Sequence, residues 1–142
     1  MQEFTFDLAP IGTRRPRFSM RNGKARVYDT QSSIKAILKM SAKSQMAKFR
    51  TEMGIPGVFM VEMTFHMSKP KTTQRRPVKM RNQIYHDKKF DIDNMIKFYL
   101  DVLNGIAYQD DRMVAVINAE KIYADHPCVK IKVYTLEEEG FK

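Results

Sequence analysis

An alternation of apolar and polar side chains is the feature of this sequence that most constrains its fold. Residues 58–67 read VFMVEMTFHM, and every second side chain from Phe59 to Met67 is apolar. Successive side chains of a β-strand point to opposite faces of a sheet, so the pattern predicts a strand with one face on a core. His66 falls on the other face, where we expect a half-exposed structural histidine. The chain must therefore build a sheet that is covered on one side.

A first predicted helix could pack against the apolar face of this sheet. It is predicted to begin at a cap residue, Asp29 or Thr30, and to run to about Met53, because apolar side chains recur every three or four positions from Ile34. A neighbouring line of side chains on this helix is basic and consists of Lys35, Lys39 and Lys43. We expect these lysines to form an ordinary solvated face, with contact to phosphates as the alternative.

A second helix is predicted over residues 92–104, where apolar side chains again recur at helical spacing and Asn104-Gly105 provides the stop. Further strands are predicted at residues 3–8, 24–28, 113–124 and 129–134. The third of these is expected to be well buried, and Pro10–Gly23 is expected to be irregular. The resulting fold class is α/β (α+β), with a mixed sheet of about five strands and two main helices. Residues 1–142 are expected to form a single domain with a frayed tail at 136–142.

Composition excludes several classes of protein. No apolar run approaches the roughly 18 residues that span a bilayer, and the N-terminal residues lack the apolar core of a signal peptide. The one cysteine, Cys128, cannot form an internal disulfide, and no Cys/His cluster suits zinc. We therefore expect a cytoplasmic protein with no membrane contact, in which Cys128 is a small buried hydrophobe.

The net charge of +9 is concentrated in two segments. Residues 14–26 hold six Lys or Arg and no acid, and residues 68–90, which we expect to be a long basic loop, hold eight against one Asp. Charge gathered in this way suggests a polyanionic partner, although two solvated basic loops remain an alternative. The candidate nucleic-acid contacts are Arg14, Arg15, Arg17, Lys71, Arg75, Arg76, Lys79, Arg81, Lys88 and Lys89.

Acidic side chains follow directly after the second basic segment. Asp91 stands at the expected N-cap of the second helix, and Asp93, Lys97 and Asp101 share one polar face at spacings of four. The pair Asp110-Asp111 follows the helix, and an antiparallel return would bring it back beside the helix start. Two carboxylates at ~4 Å repel by about 4 kcal/mol at an effective dielectric of ~20, so a convergent cluster favours a cation. Oxygen ligands suit Mg²⁺ or Mn²⁺. The plainer interpretation is a cap, a surface ion pair and a turn.

The string DIDNMIKFYLDVLNGIAYQDD at residues 91–111 resembles the signature of the RusA-type Holliday junction resolvases, the crossover junction endodeoxyribonucleases. Upstream, RRPRF at 14–18 and RVYDTQ at 26–31 are similar to phage-encoded members. The resemblance implies that Asp91, Asp93 and Asp111 bind the metal and that Lys97 is the active-site lysine. It implies supporting roles for Asn94, Asp101 and Asp110. The loop at 68–90 is longer than the short Arg-rich connection of other members.

The function implied by this resemblance is Mg²⁺-dependent hydrolysis of DNA phosphodiesters at a four-way junction, in recombination and repair. The family also implies a homodimer, because two symmetric nicks require two matched sites. No small-molecule substrate is expected. Two alternatives remain open, namely a non-catalytic basic module that binds nucleic acid and a metal nuclease that acts on flaps or RNA.

Overall fold

The computed structural model describes residues 1–15, 17–48, 54, 56–69, 79–80 and 83–136, with backbone alone at 48, 79, 80, 83 and 84. Its elements in chain order are β1 (Gln2–Phe6), β2 (Arg17–Arg21), β3 (Lys24–Tyr28), α1 (Ser32–Lys48), β4 (Phe59–Ser68), β5 (Lys79–Met80), β6 (Gln83–Ile84), α2 (Ile92–Leu103), a 3-10 turn (Asp111–Met113), β7 (Val114–Ala124) and β8 (Cys128–Thr135). The predicted α+β class with two helices and a mixed sheet is confirmed.

The central sheet has four strands in the order β1-β8-β4-β7. Strands β4 and β7 are parallel, whereas β8 is antiparallel to both of its neighbours. About five strands were predicted, and the difference arises because residues 24–28 pair with β2 in a separate hairpin. A parallel pair needs a crossover, and α2 lies within the connection from β4 to β7.

The alternation in β4 is confirmed, since its apolar side chains from Phe59 to Met67 are all buried. They meet the apolar side of α2, where Met95, Phe98 and Tyr99 are fully buried. Burying each side chain of this size contributes roughly 1.5–3 kcal/mol. The strong amphipathic pattern of α2 therefore fixes which side of the helix faces solvent. Its polar residues are left on the outside.

Helix α1 packs with Leu38, Ala42 and Met46 in the same core, as its spacing predicts. Residues 49–53, over which it was predicted to continue, lie outside the described residues. The expectation of a solvated lysine face holds for Lys43, which is exposed, and is wrong for Lys35 and Lys39, which are half-buried against α2. Helix–helix packing has placed this part of the basic line at the interface.

Strand β2 contradicts the expectation of an irregular segment from Pro10 to Gly23. It pairs in register with β3 through a two-residue turn, in which Asn22 and Gly23 have φ values of 54° and 71°. Positive φ at both positions is typical of the hairpin turn that Asn-Gly favours. This dipeptide therefore predicts the hairpin, whereas the apolar pattern of the segment does not.

Strand β7 was predicted to be well buried, and this is also wrong. It is an edge strand, in which residues 115–118 are exposed and Ile122 is buried. An apolar sequence cannot reveal whether a strand has one neighbour or two. The long basic loop was likewise expected to lack structure, but β5 pairs with β6 there, and Tyr85 bridges to Ile122.

Neither helix in the described ranges combines the length and the hydropathy needed to cross a bilayer. Cys128 is buried, as expected. Most of the tail, residues 137–142, lies outside the described residues.

Candidate active site

Helix α2 presents the first two acids of the predicted site at its N-terminal turn. Asp91 is the N-cap residue, but its side chain makes no cap hydrogen bond, contrary to expectation. Its backbone oxygen accepts the Met95 N–H at 3.2 Å instead. The carboxylates of Asp91 and Asp93 are therefore both exposed, and that of Asp91 is not used in capping.

The solvent face of α2 continues from Asp93 through Lys97 to Asp101. Asp93 and Lys97 are exposed, and the side chain of Asp101 is 49% exposed. Residues four apart on a helix are separated by about 6 Å along the axis, so Asp93 and Asp101 stand about 12 Å apart with the lysine between them. The sequence prediction of one polar face is confirmed for these three residues.

Asp110 and Asp111 lie close together, beside the C-terminal end of α2. The Asp110 carboxylate accepts the Arg112 N–H at 3.0 Å, and this hydrogen bond holds its pKa below the usual value. The pKa of Asp111 is raised, first by burial and then by the Asp110 side chain and the charge of Asp101. Three negative groups thus act on one another at this end of the helix.

Strand β7 runs back along α2 toward the start of the helix, but Asp110 and Asp111 come before this strand and therefore lie near the C-terminal end of α2. The start of α2 lies beside Lys121, whose Nζ donates to the Phe90 oxygen at 2.9 Å, whereas Asp111 precedes the start of β7. Asp101, which acts electrostatically on Asp111, is about 15 Å along the helix axis from Asp91. Among the described residues no three His, Cys, Asp or Glu side chains are placed to hold one ion.

The donor chemistry nevertheless fits Mg²⁺ in sets of two. Magnesium keeps several water ligands and is commonly held by one or two carboxylates together with substrate phosphates. The pKa of Asp111 is raised first by burial and then by the neighbouring carboxylates of Asp110 and Asp101, and a cation bound there would offset both effects. Asp110 and Asp111 lie close together and provide two carboxylates suitable for Mg²⁺. Asp91 and Asp93 provide the same kind of ligand at the other end of α2.

The first basic segment is attached directly to α2. Thr13 donates its N–H to the Asn94 oxygen at 3.0 Å, and Ile11 donates its N–H to the Tyr99 hydroxyl at 3.2 Å. A Cβ on Gly12 would lie 3.0 Å from the Phe90 ring, so the chain passes tightly over the start of the helix. Asn94 therefore contributes through its backbone, which the sequence did not predict.

Gln31 fixes the same segment from the other side. It is the buried polar side chain of the described core, and it accepts the Arg14 N–H at 2.9 Å and donates to the Gly12 oxygen at 2.9 Å. Arg14 and Arg15 are consequently exposed beside the N-terminal half of α2. Sequence reasoning missed Gln31, because its partners are 17 and 19 residues away in the chain.

Lys35 joins the end of the hairpin to the acidic face. Its Nζ contacts Asp29 at 2.8 Å and Asp101 at 3.0 Å, and its side chain is 16% exposed. Burial lowers the pKa of Lys35, but its hydrogen bonds with the two carboxylates outweigh burial, so the net pKa lies above the usual value. The single positive charge of Lys35 is thereby shared between Asp29 and Asp101.

The second basic segment is described only in part. Lys88 and Lys89 are exposed close to Phe90, and Lys89 stands over that ring at 5.6 Å. The side chain of Lys79 is not described, and the predicted contacts Lys71, Arg75, Arg76 and Arg81 lie outside the described residues. Of the predicted nucleic-acid contacts, Arg14, Arg15, Lys88 and Lys89 are therefore exposed close to the start of α2.

Comparison with known proteins gives two findings. The profile of a family described as "Endodeoxyribonuclease RusA" matches residues 7–134, a range that includes the whole of α2 and both acidic sets. The "Uncharacterized protein YqaN" of Bacillus subtilis is 27% identical over 135 residues, which cover 92% of this chain and 94% of that protein.

Proposed function

The chain belongs to the RusA endodeoxyribonuclease family, and on that basis we propose that it cuts branched DNA with the four-way Holliday junction as substrate. The observation that carries the proposal is that the matched range includes an exposed acidic helix face with a basic segment hydrogen-bonded to it. Phosphodiester hydrolysis needs cations to hold the backbone and carboxylates to hold a metal ion. Both kinds of group stand side by side along α2.

We propose Asp91, Asp93 and Asp111 as metal-binding carboxylates, Asp110 as the second member of the Asp111 set, and Mg²⁺ as the ion, with Mn²⁺ as a substitute. Such an ion polarises a phosphoryl oxygen and lowers the pKa of a bound water. The placement of the acids at opposite ends of α2 favours two sets of two ligands over one shared set of three.

Lys97 is proposed to contact the phosphate under attack. It lies one helical turn from both Asp93 and Asp101 and is exposed, so its ammonium group can reach a backbone placed along the helix. A cation at this point would stabilise the negative charge that develops on the phosphate. Asp101 has a supporting role, because Lys35 holds it in place through an ion pair.

A second candidate is a non-catalytic module that binds DNA. The observation in its favour is that the described residues contain no group of three ligands for one metal ion. Both candidates predict binding to DNA, so cleavage with and without metal separates them. Action on flaps or RNA is tested in the same assay by the choice of substrate.

The test is cleavage of a synthetic four-way junction by the wild type and by Asp93→Asn, with Asp125→Asn as the matched control. We expect Asp93→Asn to lose more than about 100-fold in rate, the scale of removing one group that stabilises transition-state charge, while junction binding in EDTA is kept. Asp125 is exposed, pairs with Lys69 and should be replaceable.

Each outcome has a defined meaning. Unchanged cleavage by Asp93→Asn removes this residue from the site. A wild type that binds junctions but cuts nothing in Mg²⁺ or Mn²⁺ supports the non-catalytic module. Equal cutting of junction, linear duplex, flap and RNA rejects the junction as the preferred substrate.

A further inference from the structure

The β2–β3 hairpin has one apolar face and one basic face. Phe18 pairs with Val27 and Met20 with Ala25, so these four side chains share one side of the ribbon. The other side carries four cations, which are Arg17, Arg21, Lys24 and Arg26. Both strands are exposed throughout except for the half-buried Ser19, and Phe18, Met20 and Val27 are 64%, 66% and 67% exposed. The hairpin therefore projects from the core.

Both ends of the hairpin are attached close to the acidic face of α2. Before β2, Thr13 is hydrogen-bonded to Asn94, in the first half of the helix. After β3, Asp29 is joined through Lys35 to Asp101, in the last turn. Strands of five residues extend about 17 Å at 3.3 Å per residue, which is the length of the exposed ribbon between these two attachments.

The basic face is matched to a polyanion with regularly spaced charges. Arg17 and Arg21 are four residues apart, or about 13 Å along a strand, and a DNA strand carries a phosphate at about 3.4 Å of axial rise. The structure gives no ion pair to any of the four cations in the part of the chain that it describes. Their charge is therefore available to a partner.

We propose that this hairpin is an arm that binds the DNA backbone through Arg17, Arg21, Lys24 and Arg26 and so holds a duplex beside the acidic face of α2. The inference rests on the proposed function for the identity of the polyanion. It adds a binding surface of which the sequence predicted only Arg17. A two-stranded ribbon is a suitable element, because its width fits the major groove and its exposed backbone follows phosphates.

The test compares two variants of the same hairpin. In the first, Arg21→Gln, Lys24→Gln and Arg26→Gln remove three charges and keep a polar side chain at each position. In the matched control, Met20→Thr and Val27→Thr change the opposite face, with a β-branched residue that strands accept. Binding to a four-way junction and to linear duplex is measured in EDTA by fluorescence anisotropy over a range of salt concentrations.

We expect the first variant to lower the slope of log affinity against log salt by between two and three, since each phosphate contact in duplex DNA contributes about 0.9. The control should keep the wild-type slope. The rate of junction cleavage at saturating enzyme and low salt should be unchanged in the control variant, because it alters neither the basic face of the hairpin nor the acidic face of α2.

An unchanged slope in the first variant overturns the proposal and leaves the basic face to a different partner, such as an acidic protein. An equal loss of slope in both variants also overturns the proposal, since DNA binding would then depend on the folding of the hairpin and not on its basic face. The binding assay contains no metal, so a wild type that fails to cut DNA defeats the proposed function without affecting this result.

Discussion

Asp111 is a proposed metal ligand in an electrostatically unfavourable position. Its pKa is raised by burial and by two neighbouring carboxylates, so the folded chain binds a proton there more readily than the unfolded chain. A raised acid pKa means that the folded state loses stability as pH rises from the ordinary value of 3.8 through the raised value. At neutral pH the charged side chain therefore opposes folding.

Replacement of Asp111 by Asn should consequently stabilise the metal-free protein. Relief of one like-charge contact at an exposed site is worth about 0.3–0.5 kcal/mol, or a rise in Tm of about 1–2 °C. Saturating Mg²⁺ should raise the Tm of the wild type more than that of the variant. Differential scanning fluorimetry with and without EDTA measures both effects.

The control for this prediction is Asp125→Asn. The neighbouring Lys69 holds the pKa of Asp125 below its usual value, so neutralising this residue should give no rise in Tm. Equal stabilisation of the wild type and Asp111→Asn by Mg²⁺ would remove Asp111 from the proposed metal ligands.

Individual residues were predicted well where the signal was local. Asp93, Lys97 and Asp101 share a face because helical spacing requires it. Gln31 and Lys35 were not recognised, because their partners come from other elements and nothing in the neighbouring sequence reveals them. The location of Asp111 was missed for the same reason, since it depends on how the turn before β7 packs against the end of α2.

At the scale of elements, α1 holds the end of α2 through a lysine. Lys39 donates from Nζ to the backbone oxygens of Asp101 at 2.8 Å, Val102 at 3.3 Å and Asn104 at 3.4 Å. These carbonyls belong to the last turn and its cap, where the helix dipole is negative and the regular hydrogen bonds of the helix come to an end. The Asp101 oxygen also accepts the Asn104 N–H at 3.2 Å. The lysine thus caps a helix from outside it.

Lys39→Met should therefore destabilise the fold by about 1 kcal/mol, within the range for a cation at a helix C-terminus. Lys43→Met is the matched control, because Lys43 lies one turn after Lys39 on the same side of α1 and is exposed. Its effect should be within ~0.5 kcal/mol of zero. Urea unfolding followed by circular dichroism gives both values, and equal losses would show that charge on α1 in general is what matters.

Elements were predicted correctly where hydrophobic periodicity was strong, as in β4 and α2. Elements were missed where their structure depends on a turn or on the position of a strand in the sheet. Strand β2 depends on the turn at Asn22-Gly23, and the exposure of β7 depends on its place at the sheet edge. Burial of a strand follows from neighbours that are distant in sequence, so periodicity alone does not determine it.

For the whole molecule, the proposed reaction requires two equivalent sites. A four-way junction has approximate two-fold symmetry, and a two-fold dimer presents matched sites to the two strands that are cut. The described part of one chain leaves two surfaces uncovered, namely the outer edge of β7 before the Tyr85 bridge and the sheet face carrying Met60 and Thr64. Either offers area for a second copy.

We predict a homodimer of two 16.6 kDa chains, measured by sedimentation velocity. Mixed dimers of the wild type and Asp93→Asn should convert a cruciform plasmid into nicked circles, whereas wild-type dimers should produce linear plasmid. Mixed dimers with Asp125→Asn are the control and should still give linear product. A monomer that resolves junctions would contradict the prediction.

The hydrogen bond from Thr13 to Asn94 and the ion pairs of Lys35 attach both ends of the hairpin to α2. These contacts limit the separation and angle between the two surfaces, whatever the DNA sequence. A straight helix of DNA has a single axis, while a branch point offers several axes at once. For the proposed substrate, we therefore expect the angle between DNA arms to be selected by the geometry of the protein and not by contacts to base edges.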